Sequence, residues 1–296
     1  MTAVIEALEL CKRYGQHVAV DRLRFGVAEH RITGFLGRNG AGKSTTIKMM
    51  LGMIAPTSGS GRVLGHPIDD PEASLAIRRR VAYVGEDKGL YGYMTVGELI
   101  RFTRGFYADW QPAHERRLLA QYALPLDRKV KALSKGMRTK LALLLALARR
   151  PALLILDEPT EGLDPVSIEQ LLQELVGRGA DGTTVFFSSH QIVELEQIAD
   201  HVAIIDRGRA VIAGPLDDLR EQFRRVQIVF DGEAPDVAFR SPGVQRVRRK
   251  GRVLTVLSNA GADAIIDEVR TLNPISVDAS RITLKEIFLE TVVSED

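Results

Sequence analysis

The middle of the chain alternates short apolar runs with stretches of helical periodicity. Strand-like runs at 152–157, 183–188 and 202–206 are separated by helical patterns at 166–178 and 191–199. Short continuous apolar runs are typical of strands that are buried on both faces of a sheet. The alternation of strand and helix therefore predicts a mostly parallel α/β sheet with helices packed against it.

The N-terminal part of the chain has a different pattern. Residues 4–36 contain short strand-like segments and turns, of which 18–27 and 31–36 are the clearest. A further strand that ends in a turn is predicted at 63–67. Strands that follow each other through turns are typical of antiparallel pairing. We therefore predict an antiparallel β subdomain at the N-terminus.

From about residue 72 to residue 150 the pattern becomes helical. Segments 96–107 and 113–123 have helical spacing, and the second ends before Pro125. Proline disfavours helical backbone at the residue before it, so it marks a helix boundary. A third helix is predicted at 138–150.

After about residue 224 strand-like and helical segments mix without motifs that carry chemistry. A turn at Lys250 and Gly251 lies between apolar-alternating runs, and helices follow the second strand. We therefore predict a small α+β domain at 224–296 and a main domain at 1–223. The segments concerned are the strands 226–230 and 252–257 and the helices 262–272 and 284–293.

Composition excludes several classes of protein. The chain has 296 residues, 45% of them apolar and 26% charged, and a formal net charge of +2. These values are ordinary for a globular protein, and so small a charge gives no basic field for nucleic acid. The longest apolar run, 141–148, is too short to span a bilayer, and we expect no secretory signal. The single cysteine, Cys11, excludes an intrachain disulfide framework.

A glycine-rich stretch follows the apolar run 32–36 and precedes a helical pattern at 46–51. It fits the phosphate-loop pattern G-x-x-x-x-G-K-[ST], in which backbone N–H groups and a helix N-terminus surround a phosphate chain. The lysine is expected to reach the β- and γ-phosphates and the serine to hold Mg²⁺. The stretch is Gly37, Arg38, Asn39, Gly40, Ala41, Gly42, Lys43, Ser44 and Thr45.

Two acids end the apolar run 152–156. Asp157 and Glu158 are expected at the carboxyl edge of the sheet, where ligands bind in open α/β folds. Asp157 is then predicted to orient Mg²⁺, and Glu158 to position or deprotonate the water that attacks the γ-phosphorus. On its own, the pair could equally be a solvated strand end.

Ser134 suits the N-cap of the helix that follows it, which makes a second anion site. Two such sites are hard to explain with one nucleotide, unless two chains face each other around each nucleotide. An ordinary capped helix is the alternative.

The order of these motifs resembles the ATP-binding cassette of an ABC transporter, from the N-terminus to about residue 220. The resemblance implies a P-loop NTPase fold, a helical subdomain at about 72–150 that carries the signature loop, and an adenine-stacking role for Tyr14. It also implies a signature loop, defined here as 133–137, with Ser134 and Gly136 on the nucleotide of a second chain. It further implies a D-loop at 162–164 that includes Asp164, and a switch histidine at His190.

Two positions depart from the family pattern. Glu86 stands where the family usually has glutamine, and the signature loop has Lys135 and Met137 for the usual Gly and Gln. We expect Glu86 to contact the nucleotide or Mg²⁺. These departures and the segment 106–110 resemble bacterial exporter-type cassettes.

The resemblance implies an ATP-hydrolysing subunit that powers export of an unidentified substrate. It implies a homodimer or heterodimer of ATP-binding subunits, a separate integral membrane permease, and a peripheral location on the cytoplasmic face of the cell membrane. The alternative is a soluble, non-transport ABC ATPase that acts on nucleic acid or in translation, but no nucleic acid partner is expected.

Overall fold

Four strands form an antiparallel sheet at the N-terminal side of the computed structural model, which describes residues 3–292. Its strand order is β2-β1-β4-β5, with β1 and β2 joined by a tight turn in which Tyr14 pairs with His17. The strand predicted at 63–67 is interrupted by its turn, because Leu64 and Gly65 have positive φ and separate β4 from β5. The strands are β1 Ala3–Tyr14, β2 His17–Ala28, β4 Ser58–Val63 and β5 His66–Pro67.

A six-stranded sheet in the order β10-β9-β3-β8-β7-β6 forms the centre of the main unit. The pairs β3–β8, β3–β9, β7–β8 and β6–β7 are parallel, which confirms the predicted α/β class. The strands β3, β7 and β8 are buried along their whole length, as their continuous apolar sequences predict. The strands are β3 Ile32–Leu36, β6 Val81–Val84, β7 Leu153–Asp157, β8 Thr184–Ser189, β9 His201–Asp206 and β10 Arg209–Pro215.

Seven helices accompany this sheet within the described part of the main unit. Local signals fix several of their starts: Thr95 and Glu98 form a capping box at α3, and Asp164 followed by Pro165 starts α6. The helices are α1 Lys43–Met50, α2 Pro71–Arg80, α3 Val96–Arg104, α4 Pro112–Tyr122, α5 Lys135–Leu147, α6 Pro165–Ala180 and α7 Ile192–Ile198.

The stretch from about 72 to 150, whose pattern was predicted to be helical, contains strand β6. This strand lies at the edge of the central sheet beside β7. Its four residues follow the basic end of α2 directly. A run this short cannot be separated from a buried helical segment by periodicity alone, so the sequence did not reveal it.

The antiparallel and central sheets share one core. The rings of Phe25, Phe35 and Phe186 lie 5.3 to 5.8 Å apart and come from both sheets. Full burial of such a side chain contributes about 1.5–3 kcal/mol. This packing fixes β2, and hence the turn before it, relative to the loop after β3.

The second unit begins at Gly214, ten residues before the boundary predicted at 224, so that helix α8 falls in it. Its four-stranded sheet has the order β12-β13-β11-β14, and its pairs are antiparallel. Val226, Ile228 and Val256 of the sheet pack with Ile265 and Val269 of α9. The elements are α8 Leu216–Gln222, β11 Arg224–Val229, β12 Val244–Lys250, β13 Val253–Ser258, α9 Ala262–Arg270, β14 Ser276–Arg281 and α10 Leu284–Val292.

Among residues 3–292, no helix combines the length and the apolar character that a membrane crossing requires.

Candidate active site

The phosphate loop connects β3 to α1 and depends on its glycines. Gly40 and Gly42 have φ of 81° and 105°, in the region that disfavours other residues. A Cβ on Gly42 would also lie 2.5 Å from the carbonyl oxygen of Ala19. Gly42 is the N-cap of α1 and has no side chain, so the first N–H groups of the helix face outward as an anion site.

A cavity of about 340 Å³ lies over this loop. Eight of the residues predicted from sequence line it, together with three that were not predicted. The lining residues are His17, Ala19, Arg38, Asn39, Gly40, Gly42, Lys43, Ser44, Thr45, Glu86 and Glu158.

Lys43 is the buried cation of the cavity, with 6% of its side chain exposed. Its Nζ donates hydrogen bonds to the carbonyl oxygens of Gly37 at 2.7 Å and Arg38 at 3.3 Å. The same Nζ lies 3.2 Å from Oε1 of Glu158. The loop thus holds the ammonium in place by its own carbonyl groups, next to the carboxylate that follows β7.

Glu158 connects two of the predicted catalytic residues. While Oε1 faces Lys43, Oε2 lies 2.9 Å from Nδ1 of His190. Its backbone has a φ of 48°, unusual for a side chain of this size, and its N–H bonds to the carbonyl and the hydroxyl oxygens of Ser188. Strand β8 therefore holds Glu158 in a strained backbone conformation. The carboxylate of Glu158 lies between Lys43 and His190.

Asp157, the last residue of β7, has one engaged oxygen and one free oxygen. Oδ1 accepts a hydrogen bond of 2.6 Å from Ser188, while the buried Oδ2 has no hydrogen-bond partner among residues 3–292. A buried unpaired carboxylate oxygen is costly, and a cation is the group that would satisfy it.

This oxygen and the Ser44 hydroxyl in the cavity fit Mg²⁺, which takes oxygen ligands and needs only one or two from protein when phosphates supply others. The described residues contain no group of three or more His, Cys, Asp or Glu side chains that could hold a metal by themselves. The protein donors thus suit an ion that is bound together with a nucleotide.

A buried carboxylate lies next to the segment that leads to His190. Glu194 accepts hydrogen bonds from Ser189 at 2.9 Å and Thr160 at 3.1 Å, and burial raises the pKa of Glu194. These bonds tie the segment before His190 to the segment after Glu158. The Glu194 hydrogen bonds therefore hold the chain segments that carry His190 and Glu158, whose side chains are 2.9 Å apart.

Eight predicted residues are not among those that line the cavity. Gly37 and Ala41 belong to the phosphate loop, Asp157 and His190 have the contacts described above, and the other four are Tyr14, Ser134, Gly136 and Asp164. Tyr14 is half exposed at the end of β1, opposite His17, which does line it. Ser134 caps α5 by accepting from the Met137 N–H at 3.2 Å, and Gly136 lies against Gly162. The fourth, Asp164, caps α6.

The side chain of Asp164 is engaged within its own chain. It accepts from the N–H of Ser167 at 3.0 Å and from its hydroxyl at 2.6 Å, and Nζ of Lys140 lies 3.5 Å away. The Ser167 hydrogen bonds hold the pKa of Asp164 at about 2. The single chain therefore brings Lys43, Glu158 and His190 together but keeps Ser134, Gly136 and Asp164 outside the cavity.

Sequence reasoning missed His17, Ala19 and Arg38. Arg38 is a variable position within the phosphate loop, so only its place in the motif could have indicated it. His17 and Ala19 lie on β2, in a different sheet, and reach the cavity through the shared core. A contact of that kind leaves no local signal, although the closeness of His17 to Tyr14 in sequence was one hint.

Comparison with known families gives two matches. The family described as "ABC transporter" matches residues 20–161, and the family described as "ATP-binding protein DrrA1-3-like, C-terminal domain" matches residues 214–292. The second match begins at the residue where the second structural unit begins.

Curated relatives and solved structures agree with these matches. The bacitracin transport ATP-binding protein BcrA of Bacillus licheniformis is 36% identical over 76% of this chain and 74% of its own length. The Nod factor export ATP-binding protein I of Cupriavidus metallidurans is 37% identical over 74% of this chain and 73% of its own length. A solved structure of the ATP binding subunit of an ABC transporter superposes with a TM-score of 0.67 at 32% identity, over 74% of this chain and 92% of that one.

Proposed function

The chain belongs to the ABC transporter family as one of its ATP-binding, ATP-hydrolysing subunits, and we propose that the residues around the phosphate loop carry out the hydrolysis. The observation that carries this proposal is the double contact of Glu158, with Lys43 on one oxygen and His190 on the other. A base between a phosphate-binding lysine and a histidine is placed to act on water next to the γ-phosphate.

The phosphate loop and Lys43 bind the triphosphate of ATP. The loop N–H groups and the α1 N-terminus offer hydrogen bonds to anionic oxygens. Lys43 reaches the β- and γ-phosphates by exchanging its contacts with the Gly37 and Arg38 carbonyl groups for phosphate oxygens. That exchange also releases Oε1 of Glu158 from the ammonium, so ATP binding frees the base.

Ser44 and Asp157 would hold Mg²⁺ with the phosphates, and Glu86 lines the same cavity as Ser44. Bound there, the ion would neutralise charge on the phosphate oxygens. Ser188, which bonds to both Asp157 and the N–H of Glu158, keeps the two acids in a fixed relation.

In the reaction, Glu158 accepts a proton from water as it attacks the γ-phosphorus. His190, on Oε2 of Glu158, orients that carboxylate and contacts the γ-phosphate. Hydrogen bonds of Ser188, Ser189 and Glu194 hold the loops that carry both residues. The two loops therefore need to rearrange little when ATP binds.

Two chains are proposed to share each nucleotide. Ser134 and Gly136 lie at the N-terminus of α5, a second anion-binding element that does not line the cavity of its own chain. In a head-to-tail dimer, of identical or related subunits, this element would close on ATP held by the other chain, and the D-loop with Asp164 would lie at the same interface. Tyr14 would stack on the adenine.

A separate membrane permease is the proposed partner, and the cytoplasmic face of the membrane the proposed location. A groove of about 390 Å³ lies between the β6 end of the sheet and the helical subdomain, within residues 51–149. Met53, Leu90 and Leu145 give it apolar walls, which suit a short cytoplasmic helix of the permease. Since two relatives are named for bacitracin transport and Nod factor export, we propose export. A nucleic-acid function has no such support.

The decisive experiment compares Glu158→Gln with Glu169→Gln. Glu169 is exposed on α6, so the same chemical change there should leave ATPase activity intact. Glu158→Gln should bind Mg²⁺-ATP, hydrolyse it at least about 100-fold more slowly, and elute as a dimer in size-exclusion chromatography with ATP. Normal activity in Glu158→Gln would remove Glu158 from its proposed role.

A further inference from the structure

The turn between β9 and β10, defined here as Arg207 and Gly208, contacts the phosphate loop. The N–H of Gly208 donates a hydrogen bond of 2.9 Å to the carbonyl oxygen of Ala41. Both turn residues have positive φ, 45° and 79°, as in the tight turns that are typical of hairpins. The turn lies outside the sequence motifs of the nucleotide site, yet it reaches the centre of one of them.

The carbonyl groups of the phosphate loop accept hydrogen bonds from different parts of the chain. Nζ of Lys43 donates to two of them, as described above, and the N–H and the hydroxyl of Thr46 both donate to the carbonyl of Gly42 at 2.9 Å. These donors belong to helix α1, which follows the loop directly. For the carbonyl of Ala41, in contrast, the β9–β10 turn supplies the donor.

The Ala41 carbonyl determines the direction of the next N–H group. The peptide unit that joins Ala41 to Gly42 is planar, and the described peptide bonds include no cis unit. Its C=O and its N–H therefore point in opposite directions. A donor that holds the Ala41 carbonyl on the outside of the loop turns the Gly42 N–H to the inside, where backbone N–H groups bind phosphate.

Two glycines allow three backbone segments to approach each other at this point. A Cβ on Gly208 would lie 2.8 Å from Cα of Val20 and 2.9 Å from the carbonyl oxygen of Ala19. The same carbonyl oxygen would lie 2.5 Å from a Cβ on Gly42. Strand β2 is therefore packed between the phosphate loop and the turn, and neither glycine can gain a side chain unless backbone moves.

An ion pair holds the turn on β2. Nε of Arg209 donates to Oδ2 of Asp21 at 2.7 Å, and the N–H of Asp21 donates to the Gly208 carbonyl at 2.9 Å. The hydrogen bond from Arg209 lowers the pKa of Asp21, so this carboxylate is ionised near neutral pH. Pairs as exposed as this one contribute little to stability. Its removal should therefore leave the fold intact while it loosens the turn.

We propose that Gly208 is a positioning residue of the ATPase site: through its hydrogen bond to Ala41, it holds the Gly42 N–H in the direction that binds a phosphate of ATP. The inference rests on the proposed binding of the triphosphate by the phosphate loop. Gly208 acts through the loop and touches neither Glu158 nor His190. Its loss should therefore weaken the binding of ATP more than the hydrolysis of bound ATP.

The test compares Gly208→Ala with Gly251→Ala in the full chain, read as kcat and KM for Mg²⁺-ATP and as Kd for ADP. Gly251 lies in the β12–β13 turn with a φ of 57°, and a Cβ there would meet no atom within 4 Å. Both changes place alanine in the left-handed region, so the control shares the backbone strain without the displacement of the phosphate loop.

Gly208→Ala should raise KM and the Kd for ADP on the order of tenfold, with less than about a threefold change in kcat, because phosphate binding is lost equally from ground state and transition state. Gly251→Ala should change none of the three constants. An unchanged KM and Kd in Gly208→Ala, or a loss of kcat at constant KM, would overturn the proposal. Equal rises in the two variants would overturn it as well, since the effect would then be general destabilisation.

If Gly208→Ala does not fold, the pair of Asp21 and Arg209 carries the test. Asp21→Ala and Arg209→Met should each raise KM about two- to threefold, and the double variant should raise it no further, because both changes break the same contact. Native KM values in both single variants, or effects that multiply in the double variant, would overturn the proposal.

Failure of this inference can be told apart from failure of the proposed site. A Lys43→Ala variant with the native Kd for ADP would invalidate the assignment of the phosphate loop itself. A Lys43→Ala variant that binds ADP weakly, together with native KM and Kd values in Gly208→Ala, would leave the site intact and remove only the role of Gly208.

Discussion

Gly136 of the signature loop lies so close to Gly162 of the D-loop that a Cβ on Gly136 would be 2.6 Å from the Gly162 carbonyl oxygen. The aliphatic stem of Lys135 also packs against Gly162, and Thr139 donates a hydrogen bond to the carbonyl of Glu161. The start of α5 and the loop before α6 are therefore one packed unit within a single chain. Glycine at 136 is required by this approach, since no side chain fits without moving backbone.

This contact predicts opposite outcomes for two glycine-to-alanine changes. Gly136→Ala should destabilise the fold by about 1–3 kcal/mol and reduce ATPase activity, because the methyl group displaces the signature loop from the D-loop. Gly177→Ala is the control: it lies inside α6, exposed, with no atom within 4 Å of its would-be Cβ. It should stabilise the protein by about 0.4–1 kcal/mol. Chemical denaturation of both variants measures the difference, and equal effects would contradict the packing argument.

The proposed sharing of ATP between chains predicts complementation. A Lys43→Ala chain and a Ser134→Arg chain are each expected to form only defective sites with themselves. A mixed dimer has one intact composite site, made of Lys43 from one chain and Ser134 from the other. Mixing the two inactive proteins should therefore restore ATPase activity above that of either alone. A mixture as inactive as its components would argue for a site complete in one chain.

The sequence predicted the parts of the fold whose strands are apolar throughout. β3, β7 and β8 have such sequences and were located to within one or two residues. β14 was missed and β12 was not defined, because Ser276–Arg281 and Val244–Lys250 carry mostly polar, exposed side chains that backbone pairing holds in the sheet. Such edge strands have too little apolar alternation to be recognised.

The candidate site, like the fold, could be predicted only in part from the sequence. Residues contiguous in a motif, such as those of the phosphate loop, could be assigned from spacing alone. The contacts of Glu158 with Lys43 and His190 depend on how separate strands end at one sheet edge. Sequence spacing carries no information on such distances.

The capping carboxylate of Asp164 predicts a pH dependence of stability. Its hydrogen bonds from Ser167 hold its pKa at about 2, below the ordinary 3.8. A carboxyl with a lowered folded-state pKa stabilises the fold above the unfolded value, and this contribution is lost as pH falls from 3.8 through about 2. Asp164→Ala should lower the thermal midpoint near neutral pH, and the difference from the native protein should shrink over that acidic window. A constant difference across the window would show that the charge of Asp164 contributes nothing.

An exposed row of aromatic rings, adjacent in sequence to Leu90 and Tyr107 of the proposed permease groove, predicts a further contact with the proposed membrane partner. Tyr93, Tyr91, Phe102 and Phe106 follow one another with ring centroids 5.0 to 5.9 Å apart, and Phe106 is 68% exposed. Apolar surface of this kind is typical of interaction sites. Phe106→Glu should release the protein from membranes of cells that express the permease and leave soluble ATPase activity unchanged. Ile275→Glu, an exposed position in the second unit, should not release it. A native protein found wholly in the soluble fraction with its permease present would count against the proposed partner.

The departure at Glu86 predicts a change in the dependence on Mg²⁺. Glu86 lies in the cavity with Ser44, and a carboxylate is a stronger oxygen ligand for Mg²⁺ than an amide. Replacing it by the nearly isosteric glutamine removes a charge without changing shape, so packing should be unaffected. We expect Glu86→Gln to require on the order of two- to tenfold more Mg²⁺ for half-maximal ATPase activity, since about 1 kcal/mol of metal binding corresponds to a factor of that size. The measurement is a Mg²⁺ titration of ATPase activity at saturating ATP, with Glu169→Gln as the control for a Glu-to-Gln change at an exposed site. An unchanged half-saturating concentration and an unchanged maximal rate would mean that Glu86 serves only as a shape-equivalent of the family's glutamine.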